Sequence, residues 1–388
     1  MIQRILAFAA VTLVAARPGL AAENLEALAK RVVAHYAELV HAGYFDSLAE
    51  ALKLNESLET LCENPTKKTL QSAREAWIAA RLPYLQTEVF RFYAGPIDDE
   101  DGPEGLLNAW PLDESYVDYV EGAPAAGIIN DPKKFPKINK DLIVELNEKE
   151  GEENISSGFH AIEFLLWGQD QNVGGPGDRP ITDFTTAKNA DRRKIYLLAL
   201  GDLLVENLTG LVADWTPDRD NYRKAFVADD PMNSLKKILT GMSMLAGFEL
   251  SGERLLVSLE SRSQEDEHSC FSDTTHTDII MDAQGLVNVW NGEYSGVDGK
   301  KLSGKGVRDL AEVVDPALAN KLGPKIDAAL ALAKEIPVPY DQAILGEEGA
   351  PGAKAIMAVV TTLEDQAALL VQLSRKLGFE VPTSEAQE

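Results

Sequence analysis

Apolar residues recur with the period of an α-helix along most of the chain, and this pattern limits the fold more than any other feature. Between residues 25 and 61 they fall three or four positions apart, so they would line one face of a helix. Seven further segments share the pattern: 69–93, 158–167, 191–215, 232–260, 274–291, 306–334 and 354–377. Few segments alternate as strands do. The sequence therefore predicts an all-α protein built from bundles of long antiparallel helices.

The polar segment 216–231 divides the chain of 388 residues into two predicted halves. A chain of this length can form one large domain or two of ordinary size. We expect an N-terminal helical bundle over 23–215, a joint over 216–231, and a C-terminal bundle over 232–388. Residues 94–157 and 168–190 are rich in Gly, Pro and Asp. Loops of this length inside a compact fold are more often functional than idle.

The first 22 residues have the pattern of a cleavable signal peptide. Arg4 precedes an apolar run over 5–16 that is short for a membrane span, and small residues follow before Glu23. The sequence thus predicts export to the periplasm or cell envelope. Whether the mature chain is free there or associated with the outer membrane is left open.

The formal net charge of −25 restricts the class of partner. Loss of the signal peptide would remove two arginines and no acid, which makes the mature chain more negative still. Nucleic acids and anionic lipids need basic surfaces, so neither is expected as a partner. The charge suits a cation, although a solvated acidic surface is the commoner explanation. Cys62 and Cys270 could pair in an oxidising compartment, which the sequence leaves open.

His160 and Glu163 are the two ionisable residues of the apolar run GFHAIEFLLWG, 158–168. At positions i and i+3 they project from nearly one face of a helix. Helix bundles use such carboxylate–imidazole pairs to hold metal ions, and a buried carboxylate needs a metal, a cation or a shifted pKa. The alternative is a His–Glu hydrogen bond that only fixes packing. HExxH is absent, so further metal ligands must come from elsewhere.

The acidic segment 263–278, SQEDEHSCFSDTTHTD, could supply those ligands. Carboxylate with imidazole suits iron, manganese or zinc. The candidate metal ligands of this segment are Glu267, His268, Asp273 and His276. In the alternative interpretation, Ser272 or Asp273 caps a helix that begins near Thr274, and the acids are solvated.

Residues 77–88 form a third candidate, because Trp77, Arg81, Tyr84 and Glu88 follow helical spacing. Arg81 could pair with Glu88 or Glu163, or bind an anionic ligand. We therefore take Trp77, Arg81 and Glu88 as candidate ligand-binding residues, with a structural salt bridge as the alternative. Pro83 should kink this helix or begin a new segment.

The segment GFHAIEFLLWGQD resembles the GxHxxE motif of the imelysin family, through Gly158, His160 and Glu163. Four more stretches resemble the iron-regulated protein A-like branch of that family: RFYAGPID, NAWPLDESYVDYVEG, GPGDRPITDF and SQEDEHSCFSDTTHTDI. The five stretches occur in order across most of the mature chain. GxHxxE alone is a short pattern, whereas five long stretches in order are specific.

The resemblance implies two related helical bundles that face each other, with a site containing His160 and Glu163 at their interface. It also implies a cell-envelope protein that binds a metal ion, with iron favoured and zinc as an alternative, and that serves iron acquisition together with envelope uptake components. Only Gly158, His160 and Glu163 carry over from the motif.

Two other functions remain open on the sequence alone. The first is a metallopeptidase of the imelysin class, in which the metal ion would activate water and Glu163 would act as general base. An open metal position facing a wide cleft would favour it, whereas a closed pocket favours metal binding. The second is binding of a small anion or a haem-like ligand through Arg81 and its aromatic neighbours. Oligomeric state is not predicted.

Overall fold

The computed structural model describes residues 18–384 apart from Val173 and Glu348, with side chains from Leu25 onward. Residues 1–17 of the predicted signal peptide lie outside this part of the chain. Long helices dominate what is described, so the all-α prediction is confirmed.

The helices and strands are numbered in chain order. They are α1 (Pro18–Glu63), α2 (Lys67–Leu85), α3 (Glu104–Leu107), α4 (Glu114–Val117), α5 (Lys140–Leu146), α6 (Gly158–Trp167), α7 (Ala190–Trp215), α8 (Tyr222–Ala228), α9 (Pro231–Met244), a π-helical segment (Leu245–Leu256), α10 (Val257–Ser261), α11 (Thr275–Asn291), β1 (Glu293–Ser295), β2 (Lys301–Ser303), α12 (Val307–Val314), α13 (Pro316–Ala333), α14 (Tyr340–Ile344) and α15 (Pro351–Leu377). Strands β1 and β2 form an antiparallel hairpin.

Three predicted helices differ from those observed. The predicted 69–93 helix ends at Leu85, two residues after Pro83, whose ring cannot donate a hydrogen bond within the helix. The predicted 306–334 helix is two helices, because Asp315 ends α12 and its carboxylate caps α13 through Leu318 N. The predicted 232–260 helix is continuous, but its middle, Leu245–Leu256, is π-helical.

Helix α1 is 46 residues long and packs against both predicted halves of the chain. It contacts α2 and α7 from the N-terminal half, and α9 and α12 from the C-terminal half. Helix α11 contacts both α2 and α13. One hydrophobic core therefore extends through both halves.

Helix α6 is completely enclosed, since all ten of its residues are buried. It packs against α2 and α7. The sequence explains this position, because every residue from 158 to 167 except His160 and Glu163 is apolar or glycine. Burial of these apolar side chains brings the two ionisable ones into the interior with them.

Helices α7 and α15 are long and apolar enough to cross a bilayer. Half of the apolar window of each is buried within the fold. Both helices therefore contribute to the protein core, as their amphipathic pattern requires.

Candidate functional site

Gly158 lets α6 begin against the short helix α3. Its φ angle is +85°, a conformation that L side chains rarely adopt. A Cβ atom at this position would lie 2.6 Å from the carbonyl oxygen of Leu107. The glycine of the GxHxxE pattern is thus required by backbone conformation and by close approach.

His160 and Glu163 contact each other one turn apart on α6. The Nδ1 atom of His160 lies 2.9 Å from Oε2 of Glu163. The other carboxylate oxygen, Oε1, accepts hydrogen bonds from the Ser272 backbone N–H at 2.9 Å and the Ser272 hydroxyl at 2.7 Å. Burial raises the pKa of Glu163 to about 8, although the Ser272 bonds favour its ionised form.

His268 reaches the same place from the loop before α11. Its Nδ1 atom lies 2.7 Å from Oδ2 of Asp278. The same oxygen accepts hydrogen bonds from the Ser269 hydroxyl at 2.5 Å and from Arg81 at 3.2 Å. The Asp278 carboxylate therefore orients the His268 ring while Arg81 balances its charge.

The imidazoles of His160 and His268 form a buried pair, with ring centroids 4.7 Å apart at an interplanar angle of 69°. Burial lowers the pKa of both rings well below the ordinary value; the opposite imidazole and Arg81 add to this for His160, and Arg254 and Arg81 for His268. Both rings are therefore neutral at neutral pH. The Nε2 atom of each ring is buried and has no hydrogen-bond partner.

Arg81 forms a salt bridge within the protein, with Asp278 and not with Glu88 or Glu163, the two partners that the sequence left open. Its guanidinium donates to Asp278 and to the side-chain oxygen of Asn108. It also lies over the Phe159 ring, 5.0 Å from the centroid, and at 5.6 Å from that of Trp77. Aromatic rings from α2 and α6 thus help to hold Arg81 in place within the protein.

Glu88 belongs to a different ionic cluster, because α2 ends before it. Its carboxylate accepts from Arg91 at 2.7 Å and from Arg254 at 2.6 Å. Arg254, on the π-helical segment, also donates to Asp282 of α11 at 2.7 Å. This cluster joins the two predicted halves next to the imidazole pair.

The other predicted metal ligands do not share one set of neighbours. Glu267 is fully buried beside Asp341, Asp273 and Asp170. His276 is half-buried, and its Nδ1 atom has no partner. Within residues 18–384 as described, no three His, Cys, Asp or Glu side chains are grouped so that they could hold a metal ion as they stand. The six predicted ligands therefore do not form one common centre.

Cys62 and Cys270 are both buried and free. The Cys62 thiol contacts the Lys194 carbonyl oxygen of α7, whereas Cys270 lies in the loop that carries His268. The disulfide that the sequence left open is absent from this structure. Burial raises the pKa of both thiols, so neither is activated as a nucleophile.

Sequence reasoning missed Asp278, Asn108 and Arg254 as parts of this site. Asp278 and Asp282 lie one turn apart on α11, and acids at this spacing on the apolar side of a helix were the available signal. Ser272 was considered only as a helix cap, whereas it binds Glu163.

This arrangement offers two neutral imidazoles whose Nδ1 atoms are each held by a carboxylate. When the N–H group at Nδ1 donates a hydrogen bond to an ionised carboxylate, the lone pair of Nε2 is free to bind a metal ion. Carboxylates that orient imidazoles in this way are common around protein-bound metals. The residues present are therefore compatible with a metal ion, with His160 and His268 as its imidazole ligands.

Comparison with known proteins finds relatives over most of the chain. The family model described as Imelysin matches residues 40–370. Iron-regulated protein A from Synechococcus elongatus is 26% identical over 348 residues, which span 86% of this chain and 84% of that protein.

Solved structures share the fold. One is a protein proposed to be an iron-regulated protein A precursor, from Parabacteroides distasonis, with a TM-score of 0.69, 17% identity, and coverage of 91% of this chain and 95% of that one. An imelysin-like protein from Psychrobacter arcticum gives a TM-score of 0.64 at 14% identity, and the match covers 92% of this chain and 98% of that one. The family match extends over most of the sequence, and the fold agrees with it. The chain belongs to the imelysin family.

Proposed function

We propose that this protein binds a metal ion between His160 and His268 and serves iron acquisition in the cell envelope, without depending on peptide cleavage. The observation that supports this proposal is the pair of buried imidazoles. Each is neutral, each has Nδ1 next to a carboxylate, and each has an unpartnered Nε2. An unpartnered buried acceptor is costly unless a ligand binds it.

The chemistry of the ligands favours a first-row transition metal. Imidazole suits iron, manganese and zinc, and the neighbouring Glu163 adds a carboxylate within reach of a side-chain rotation. Iron is favoured because the Synechococcus relative is named an iron-regulated protein. Zinc is the alternative. Two imidazoles leave the remaining coordination positions to Glu163 or to water.

A closed site supports binding over peptide cleavage. His160, Glu163 and His268 are each at most 2% exposed. A peptidase needs an open coordination position that faces an extended substrate. Zinc- or other metal-dependent peptide cleavage, with Glu163 as general base, is the second candidate.

Metal titration of the mature chain, residues 23–388, tests the proposal. Iron(II) under anaerobic conditions, manganese(II) and zinc(II) would be titrated by calorimetry, with bound metal measured by mass spectrometry. We expect about one ion per chain, and at least tenfold weaker binding in His160→Ala and His268→Ala. His41→Ala is the matched control, because His41 is half-buried on α1 away from this site. Equal binding in all four proteins would contradict the proposal.

A peptidase assay separates the second candidate. The metal-loaded protein would be incubated with a mixed peptide library. Cleavage that is lost in Glu163→Gln would support a peptidase, whereas metal binding without cleavage would support the binding function.

The proposed place in the cell envelope has its own test. Full-length and 23–388 chains would be expressed in a Gram-negative host and followed by cell fractionation. We expect only the full-length chain to reach the periplasmic or outer-membrane fraction. A deletion strain under iron limitation should recover growth with the wild-type chain but not with His160→Ala.

A further inference from the structure

One segment of this acidic chain is basic. Residues 122–140, GAPAAGIINDPKKFPKINK, contain four lysines and a single acid, Asp131, although the formal net charge of the whole chain is −25. The segment follows α4 and ends at the first residue of α5, Lys140. Its local charge is therefore opposite in sign to that of the molecule, and it is the local charge that an approaching partner meets first.

Three lysines of this segment are free to meet a partner. Lys133, Lys134 and Lys137 are exposed, and none of them forms an ion pair within the part of the chain that the structure describes. Lys140 differs, because its ammonium group pairs with Glu206 of α7. The positive charge available to a partner thus lies on the first three lysines.

The single acid of the segment is bound by the backbone of its own loop. Oδ1 of Asp131 accepts hydrogen bonds from the backbone N–H groups of Lys133 at 3.1 Å and Lys134 at 3.0 Å. The Asp131 carbonyl oxygen accepts from the Phe135 N–H at 2.9 Å. The carboxylate therefore shapes the turn that carries the lysines.

A fourth free lysine comes from the loop before α7. Nδ2 of Asn189 donates to Oδ1 of Asn130 at 2.8 Å, which joins this loop to the basic segment. Lys188 is adjacent to Asn189 and exposed, and it too has no ion pair among the described residues. We call the four lysines the basic patch: Lys133, Lys134, Lys137 and Lys188.

Arg192 of α7 fixes the backbone that carries the basic patch. Its guanidinium donates to three carbonyl oxygens of the segment, those of Ile129 at 2.7 Å, Phe135 at 2.8 Å and Ile128 at 3.1 Å. The Phe135 side chain packs against the hydrophobic core. The loop is thus held by the body of the protein while the lysine side chains stay in solvent, so little backbone ordering is needed on binding.

We propose that the basic patch docks the protein on an anionic membrane surface, through the phosphate groups of the lipids. Lysine is a compact charge on a flexible stem, which suits an array of mobile phosphates, whereas planar recognition of protein carboxylates is better served by arginine. Repulsion from the rest of the acidic molecule is screened beyond about 8 Å at physiological ionic strength. The proposal rests on the export to the cell envelope proposed above, but not on the metal site.

The exposed residues beside the lysines are compatible with a headgroup layer. Pro124, Ala125, Pro132 and Pro136 are all exposed and uncharged. Within residues 122–140 only Asp131 is negative. The lysines can therefore approach lipid phosphates without bringing a second carboxylate of this segment against them.

Vesicle binding by the mature chain, residues 23–388, tests the proposal. The protein would be sedimented with vesicles of phosphatidylcholine alone, or of phosphatidylcholine and phosphatidylglycerol in roughly equal parts. We expect binding to the anionic vesicles only, and its loss as sodium chloride rises to about 0.5 M, because salt screens exposed charges. Inorganic phosphate at the same phosphate concentration should not compete, since a membrane presents many phosphates at once.

Substitutions identify the residues. One lysine near an anionic membrane contributes about fivefold to affinity, so Lys133→Gln combined with Lys134→Gln should weaken binding by more than about tenfold. Arginine at both positions, Lys133→Arg with Lys134→Arg, should bind as the wild type does because the charge is kept. The matched control combines Lys321→Gln with Lys334→Gln, which removes two exposed lysines on and directly after α13.

Four results would overturn the proposal. They are no binding to anionic vesicles at low salt, equal binding by the wild type and the Lys133→Gln, Lys134→Gln variant, displacement by inorganic phosphate, and binding to polyglutamate in place of vesicles. The third would indicate a site for one free ion, and the last an acidic protein partner. His160→Ala should bind vesicles as the wild type does, so failure of metal binding and failure of membrane docking are told apart.

Discussion

At the residue scale, Glu88 shows how buried charge is stabilised beside the site. Burial alone would raise the pKa of its carboxyl. The positive charges of Arg91 and Arg254 outweigh burial and lower the pKa to about 2, from an ordinary 4.5. The folded protein therefore favours the ionised form of Glu88, and this ionisation adds to the free energy of unfolding.

Stability should consequently depend on the ionisation of Glu88 at acidic pH. The contribution is complete above pH 4.5 and is lost as the pH falls toward 2, and the shift corresponds to about 3 kcal/mol. Glu88→Gln should be less stable than the wild-type chain at pH 7, and the difference should shrink between pH 4.5 and pH 3. Urea unfolding at these three pH values measures it; a difference independent of pH would contradict the assignment.

At the element scale, the start of α6 depends on a single backbone conformation. Gly158 combines a φ of +85° with an approach to Leu107 that leaves no room for a Cβ atom. Helix α6 carries both His160 and Glu163, so the constraint on Gly158 also sets where these side chains lie.

Gly158→Ala should lower the free energy of unfolding by about 2–4 kcal/mol, from backbone strain and the clash with Leu107. Gly210→Ala is the matched control on α7, where an added Cβ meets nothing within 4 Å. It should stabilise the protein by about 0.5–1 kcal/mol because alanine is the better helix former. Urea unfolding compares the two variants, and equal effects would show that the environment of Gly158 is unimportant.

At the scale of the whole molecule, Arg254 joins the two predicted halves. It binds Glu88 from the first half and Asp282 from the second, and all three side chains are at most 1% exposed. Helices α1 and α11 cross between the halves as well. We therefore expect the chain to unfold as one cooperative unit.

Arg254→Met removes one partner from a buried ionic cluster: Asp282 loses its arginine, and Glu88 keeps only Arg91. The expected loss of stability is about 3–5 kcal/mol. Urea unfolding of the wild-type and Arg254→Met chains measures this loss. Tryptophan fluorescence and far-UV circular dichroism should report coincident transitions for the wild-type chain, because it is expected to unfold as one cooperative unit. A loss below about 1 kcal/mol would show that the cluster contributes little.

The contribution of Arg254 can be separated from that of Glu88. In the double variant with Glu88→Gln, the two losses should not add, because both substitutions disrupt one hydrogen-bonded cluster. Additive losses would mean that the two residues act independently.

Much of the helical architecture could be predicted from the sequence, because apolar periodicity is a local property that each segment carries by itself. The same reasoning predicted that His160 and Glu163 would be buried together, since they are three residues apart in an apolar helix. Pro83 was expected to interrupt the helix predicted over 69–93, and α2 ends two residues after it. The break at Asp315 was missed because a capping carboxylate acts through local backbone chemistry that periodicity does not report.

Only the tertiary structure decided which distant residues meet. His268 lies beside His160, and Arg81 pairs with Asp278 instead of Glu88. These partners come from segments far apart in the chain, and hydrophobic periodicity places a residue on a face without naming what packs against it. The sequence by itself determined a helical fold with a buried His–Glu pair; the packing of α6 against α2, and of α2 against α11, decided what surrounds that pair.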